Sequence, residues 1–104
     1  WVTDLQLDFQ DSKSPTVGTE FVGTALTSGG NGGTVIAENE RAARQNGFVK
    51  WYNSNRVYVS CELTPESWTS HFRVTPFVDK PNSPLVTKAS FLIENGRPGA
   101  KQIV

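Results

Sequence analysis

Few side chains in this sequence could bind a metal or activate a nucleophile, and they are scattered. The chain has one histidine, His71, and one cysteine, Cys61. His71 has no second histidine, cysteine or carboxylate at ligand spacing, so it reads as a surface or pairing histidine rather than a metal ligand or catalytic base. Cys61 has no partner for an internal disulfide and reads as a buried, unreactive thiol. Asp4, Asp8 and Asp11 with Glu20 could offer the hard oxygens that calcium needs. Asp4 and Asp8, however, alternate with the apolar Leu5, Leu7 and Phe9, so they are expected to face water rather than converge on a cation.

The backbone is a second source of chemistry. The stretch Thr19 to Gly33, TEFVGTALTSGGNGG, carries an alternating strand into a loop with four glycines in the five residues from Gly29 to Gly33. Glycine lets backbone N–H groups approach an anion and takes positive φ without strain. The loop lacks the Lys-Ser or Lys-Thr of a P-loop and does not match GxGxxG, so on its own it reads as a flexible connector. Trp51, Tyr52, Tyr58, Trp68 and Phe72 could stack on a sugar or a base. On alternating strands such aromatics are more commonly cross-strand pairs and core. No catalytic residue and no metal ligand is assigned within this chain.

The elements that hold these residues follow mainly a period of two. Leu5, Leu7 and Phe9 share one face of a first strand, and Asp11 to Gly18, DSKSPTVG, reads as a connection. A second strand is expected from Glu20 to Leu26, apolar on both faces. Thr34 to Asn46 is rich in helix formers, pairs Glu40 with Arg44 at i,i+4 and is followed by Gly47 as a helix cap. Strands are then expected over Phe48 to Tyr52, Arg56 to Thr64 and Trp68 to Val78. The last two should form an antiparallel hairpin across Thr64-Pro65-Glu66-Ser67. Asp79 to Pro84 reads as a loop and Val86 to Glu94 as a final strand, with Asn95-Gly96-Arg97-Pro98-Gly99 closing the ordered sequence. The expected fold is mainly β with one helix, most simply half of a layered sandwich.

Composition narrows the function classes. A chain of 104 residues makes one domain, and ten Lys and Arg balance ten Asp and Glu, which argues against binding nucleic acid or an anionic membrane. No apolar run reaches the ~18 residues of a transmembrane segment, and the N-terminus lacks the parts of a signal peptide. The sequence contains no methionine and begins at Trp1, which reads as a processed or excised piece.

Four motifs, in order, carry a family resemblance. TEFVGTALTSGGNGG resembles the EFVGTSISSGGDG segment of the PhoD-like phosphatases, a family of alkaline phosphatase D and related phosphodiesterases that includes calcium-dependent phospholipase D forms. Arg56 to Cys61 with Thr64 to Trp68 is similar to that family's RGYVRCTVTPERW, and Phe72-Arg73-Val74 follows as its FRV does. Lys88 to Phe91 and Glu94 to Gly99 resemble its closing RASFVVEDGRPG. Trp1 to Leu5 is similar to the residues that follow the family's late Gly-Asp-x-His metal-binding segment. There are departures: Val57 stands for a glycine, Asn31 for an aspartate, Phe48 for a histidine, and His71 falls where relatives carry an aspartate.

The resemblance implies the C-terminal antiparallel strands of a metallophosphoesterase-type αββα sandwich, with residues 1–104 one unit of a larger catalytic domain. It implies metal-dependent hydrolysis of phosphomonoesters or phosphodiesters by divalent or trivalent ions, calcium and iron, held by ligands on an upstream portion absent here. Trp1, Ser28 and Asn31 are then expected at the rim of the active site. The implied partners are that upstream portion and a phosphate ester, and the implied location is secreted or cell-envelope. The isolated chain is expected to be inactive and to expose an apolar face. The competing reading is a free-standing β-rich binding module that uses its aromatic strands or the Gly29–Gly33 loop.

Overall fold

Burial, more than propensity, decides which face of each strand turns inward. In the computed structural model, which describes residues 1–104, the first strand β1 (Val2–Gln6) buries Val2 and Asp4. The apolar set expected from alternation is thereby reversed: Leu5 lies on the other face, and Leu7 and Phe9 fall beyond the strand and are exposed. The chain turns at Asp8 and Asp11, whose carboxylates accept from the backbone N–H of Gln10 and Lys13 and stop the extended backbone there. Phe9 instead packs edge-on against Phe48, with ring centroids 5.0 Å apart.

The second strand β2 (Thr16–Phe21) starts inside the stretch expected as a connection and stops well before Leu26. Val22 still pairs with Trp1, and the chain then passes Val57 and Val59, which would lie 3.5 and 3.4 Å from a Cβ at Gly23. The single helix α1 (Ala37–Gln45) is shorter than the Thr34–Asn46 expected. It buries no residue, carries the expected Glu40–Arg44 pair at 3.3 Å, and ends on Asn46 rather than Gly47. Asn46 donates from its backbone N–H and from its side-chain amide to the carbonyl of Ala42, so the helix needs no left-handed glycine to close it.

Strands β3 (Val49–Trp51), β4 (Arg56–Leu63), β5 (Ser67–Thr75), β6 (Val86–Glu94) and β7 (Arg97–Gln102) complete the chain. β1, β2 and β3 form a three-stranded antiparallel sheet in the order β2-β1-β3, and the rest form a four-stranded one in the order β4-β5-β6-β7. The β4–β5 hairpin appears as expected, in unbroken register from Arg56 opposite Thr75 to Leu63 opposite Trp68. Its turn is held by the Thr64 hydroxyl, which accepts from the N–H groups of Glu66 and Ser67. β7 is an element the sequence reading missed. Pro98 argues against a strand interior but is tolerated on an edge, and β7 is the edge of its sheet.

The two sheets meet across an aromatic layer. Phe21 and Trp51 of the smaller sheet lie over Phe72 and Phe91 of the larger, with Trp51 and Phe72 centroids 4.8 Å apart and Phe72 and Phe91 packed edge to face. Val2, Val57, Val74 and Ala89 complete the buried core. Only ten residues of the chain are buried, so this core is small, and in the larger sheet it sits where β4 begins and β5 ends rather than along their full length.

Candidate functional site

The glycine loop, expected as a flexible connector, is tied to other segments at several points. Gly30, Gly32 and Gly33 hold φ of 80°, 69° and 85°, a region that side chains other than glycine enter only with strain. Gly32 is also pressed against the chain before β4: a Cβ there would lie 2.7 Å from the carbonyl oxygen of Ser54. The N–H of Gly33 donates to that same carbonyl at 2.9 Å. Arg56 reaches back with its guanidinium, donating from Nε to Gly30 O at 2.8 Å and from Nη2 to Gly29 O. Asn31 accepts from the N–H of Val78 at 2.9 Å and donates to the Asp79 carboxylate at 3.0 Å. The loop is therefore clasped to two distant segments. The clasp uses the carbonyls of Gly29 and Gly30 and the N–H of Gly33.

The three rim residues are placed separately. The Trp1 indole packs on Tyr52 at 4.5 Å, and its amine donates to Val22 O at 2.8 Å. Burial pushes that amine below its usual pKa, against the opposing pull of Glu20. Asn31 is spent on the clasp, and Ser28 lies exposed at the start of the loop. No hydrogen bond or ring contact joins the three. Beside Tyr52 and Gly33 runs a groove of about 410 Å³ bordered by Arg44, Lys50 and Lys88. Arg44 is paired with Glu40 and Lys50 with Asp4, at 3.3 and 3.4 Å, which leaves Lys88 as the bordering cation outside an ion pair.

Asp4 is the sharpest departure from the sequence reading. It is 5% exposed where a solvated face was expected. Oδ1 accepts from the Thr19 hydroxyl at 2.8 Å and from the Ala100 N–H at 3.0 Å, and Oδ2 lies 3.4 Å from Lys50 Nζ. One carboxylate thus ties β1 to β2, β3 and β7. Gly99 permits the approach, since a Cβ there would sit 3.3 Å from Oδ2 and its φ is 109°. At the far end of β7, Glu94 is held below the usual carboxylate range by its hydrogen bond from Lys101, then by the charges of Lys101 and Arg97.

None of these residues makes a metal site. No three histidine, cysteine, aspartate or glutamate side chains converge anywhere in the chain, and the oxygens of Asp4 already have partners. His71 is the pairing histidine expected, its Nδ1 2.7 Å from the hydroxyl of the buried Ser90 across the β5–β6 ladder. Cys61 is exposed rather than buried, with its sulfur 3.5 Å from Ser70 Oγ. The phosphoesterase metals implied by the resemblance do not fit the donor set of this chain.

A family model described as PhoD-like phosphatase matches residues 1–72. The chain belongs to the PhoD-like phosphatase family. Alkaline phosphatase D of Bacillus subtilis (strain 168) is 37% identical over 103 residues, which is 99% of this chain and 18% of that protein. The solved structure of PhoD superimposes on all of this chain with a TM-score of 0.91 at 36% identity, using 20% of its own length. The chain thus spans about one-fifth of the length of the relatives it matches. The mainly β architecture with its single helix is that of the corresponding part of PhoD.

Proposed function

We propose that this chain is the C-terminal, non-catalytic portion of the catalytic domain of a metal-dependent phosphoric ester hydrolase, one that acts on phosphomonoesters or phosphodiesters. The observation that carries the reading is a pairing: a family match over most of the chain, and a donor set with no metal cluster in it. In the complete enzyme the metal ions, calcium and iron by family resemblance, would polarise the phosphoryl oxygens and activate the attacking water. Their ligands would lie on the four-fifths of the protein outside this chain.

The residues present would act by support. Asp4 fixes three strands around β1, and the Arg56 and Asn31 clasp holds the glycine loop rigid. Rigid elements behind a site keep its ligands in productive geometry. Trp1, Ser28 and the clasped loop are the parts of this chain proposed to border the substrate. Secretion or residence in the cell envelope is proposed from the family alone, and no helix here is long and apolar enough to cross a membrane. An aromatic platform for a free-standing binding module has less support, because Trp51 and Phe72 face into the layer between the sheets.

The reading is tested with a chromogenic phosphate ester. The full-length protein supplied with calcium and iron should hydrolyse it, and a chelator should abolish the activity. A full-length protein inactive on both monoesters and diesters in the presence of these metals would sink the proposal.

A further inference from the structure

The inner face of the four-stranded sheet continues past the core without a cover. Its cross-strand rows run outward in register. Val59, Phe72 and Ala89 stand abreast, then Cys61, Ser70 and Phe91, then Leu63, Trp68 and Ile93. Phe72, Ser70, Ala89 and Phe91 in the first two rows are buried under Phe21 and Trp51. The third row is not: Leu63 is 73% and Trp68 41% exposed. A groove of about 310 Å³ opens there between Phe21 and Thr19 of β2 and the side chains of Val59, Cys61, Trp68 and Ile93.

On the basis of the proposed function, in which this chain is part of a longer hydrolase, we infer that this strip seats an apolar segment of the remaining polypeptide. Three observations select that occupant. First, no charged side chain lines the groove, so electrostatics offers nothing to a basic or acidic ligand. Second, its polar atoms are already satisfied, since Trp68 Nε1 donates to Ser70 Oγ at 2.8 Å and Cys61 Sγ lies 3.5 Å from the same oxygen. What remains to be recognised is hydrocarbon, and an exposed apolar strip continuous with a core marks an interface. Third, about four-fifths of the length of the relatives lies outside this chain. A tethered segment docks at a high effective concentration that a free partner lacks.

Cys61 is a built-in reporter, being the only cysteine of these residues and lying in the groove. Full-length protein is treated with a maleimide in its native state and again in guanidinium, and modification of Cys61 is followed by peptide mass. A Glu62→Cys variant, on the opposite exposed face of β4, serves as the control. Seating of the segment predicts Cys61 modification about 100-fold slower in the native than in the unfolded protein, at any protein concentration, while the Glu62→Cys thiol reacts freely. Free reaction of Cys61 overturns the inference. So does protection that appears only as concentration rises, which would mean a second copy, or only with lipid vesicles present. Phosphatase activity measured on the same sample separates the two claims: active protein with an open Cys61 refutes the docking alone, and inactive protein with a protected Cys61 refutes the functional reading alone.

Discussion

Replacing Asp4 with alanine removes the one group that ties β1 to all three strands around it. The two hydrogen bonds it accepts, from the Thr19 hydroxyl and the Ala100 N–H, are bonds to a charged, largely buried acceptor. Each such bond contributes about 1.5–3 kcal/mol net, and an N–H left buried without a partner costs a further ~1–3 kcal/mol. The Lys50 contact adds little, because that ammonium is 40% exposed and screened by solvent, which limits such a pair to under about 1 kcal/mol. Offsetting these losses is the desolvation that burial of the carboxylate no longer incurs. The balance is a destabilisation of about 3 kcal/mol, a large share of the ~5–15 kcal/mol that holds a domain together. Urea denaturation of the 104-residue chain, or the hydrogen exchange of the Ala100 amide, reads it directly. Thr19→Val, which removes only the first of these bonds, should cost about 1.5 kcal/mol and leave Ala100 protected. A loss below about 1 kcal/mol for Asp4→Ala, with Ala100 protection unchanged, would show that the carboxylate does not organise these strands.

Gly32→Ala should destabilise by more than about 2 kcal/mol, since its φ of 69° is strained for alanine and its Cβ would meet Ser54 O at 2.7 Å. Gly29→Ala, with open space and no positive φ, should be neutral or slightly stabilising in the same denaturation assay, and equal effects at the two sites would refute the clasp geometry. For Glu94 the folded carboxyl sits below its ordinary pKa, so its contribution is present above the unfolded value of ~4.3 and fades as pH falls through the lower folded value. A stability difference between the wild type and Glu94→Gln should therefore be seen at neutral pH, shrink in high salt and close in acid; a difference that grows in acid contradicts the assignment.

The alternating residues of β4, β5 and β6 made those strands legible, because their pattern and their hydrophobic faces agree. The phase of β1 was not. Leu5, Leu7 and Phe9 are the obvious apolar set, yet β1 is short and central, and the face that meets the core belongs to Val2 and the buried Asp4. What turns Asp4 inward is the N–H of Ala100, ninety-six residues along the chain, and no local pattern can report so distant a donor. Distance also hid the role of Arg56, whose acceptors lie 26 and 27 residues before it. β7 escaped notice for a different reason: Pro98 and Gly99 read as turn residues, although an edge strand tolerates the first and the close approach of Asp4 requires the second. Of the candidate site little was legible, since the exposure of Cys61 and the clasping of the glycine loop by Arg56 and Asn31 depend on contacts between segments far apart in the chain.

On the function proposed above, phosphoester chemistry depends on groups outside these 104 residues. The most direct measurement compares hydrolysis of a chromogenic phosphate ester by the purified 104-residue chain and by the full-length protein, each supplied with calcium and iron. Turnover by the full-length protein and none above buffer by the chain alone is the expected result. Metal-dependent turnover that scales with the concentration of the isolated chain would contradict it.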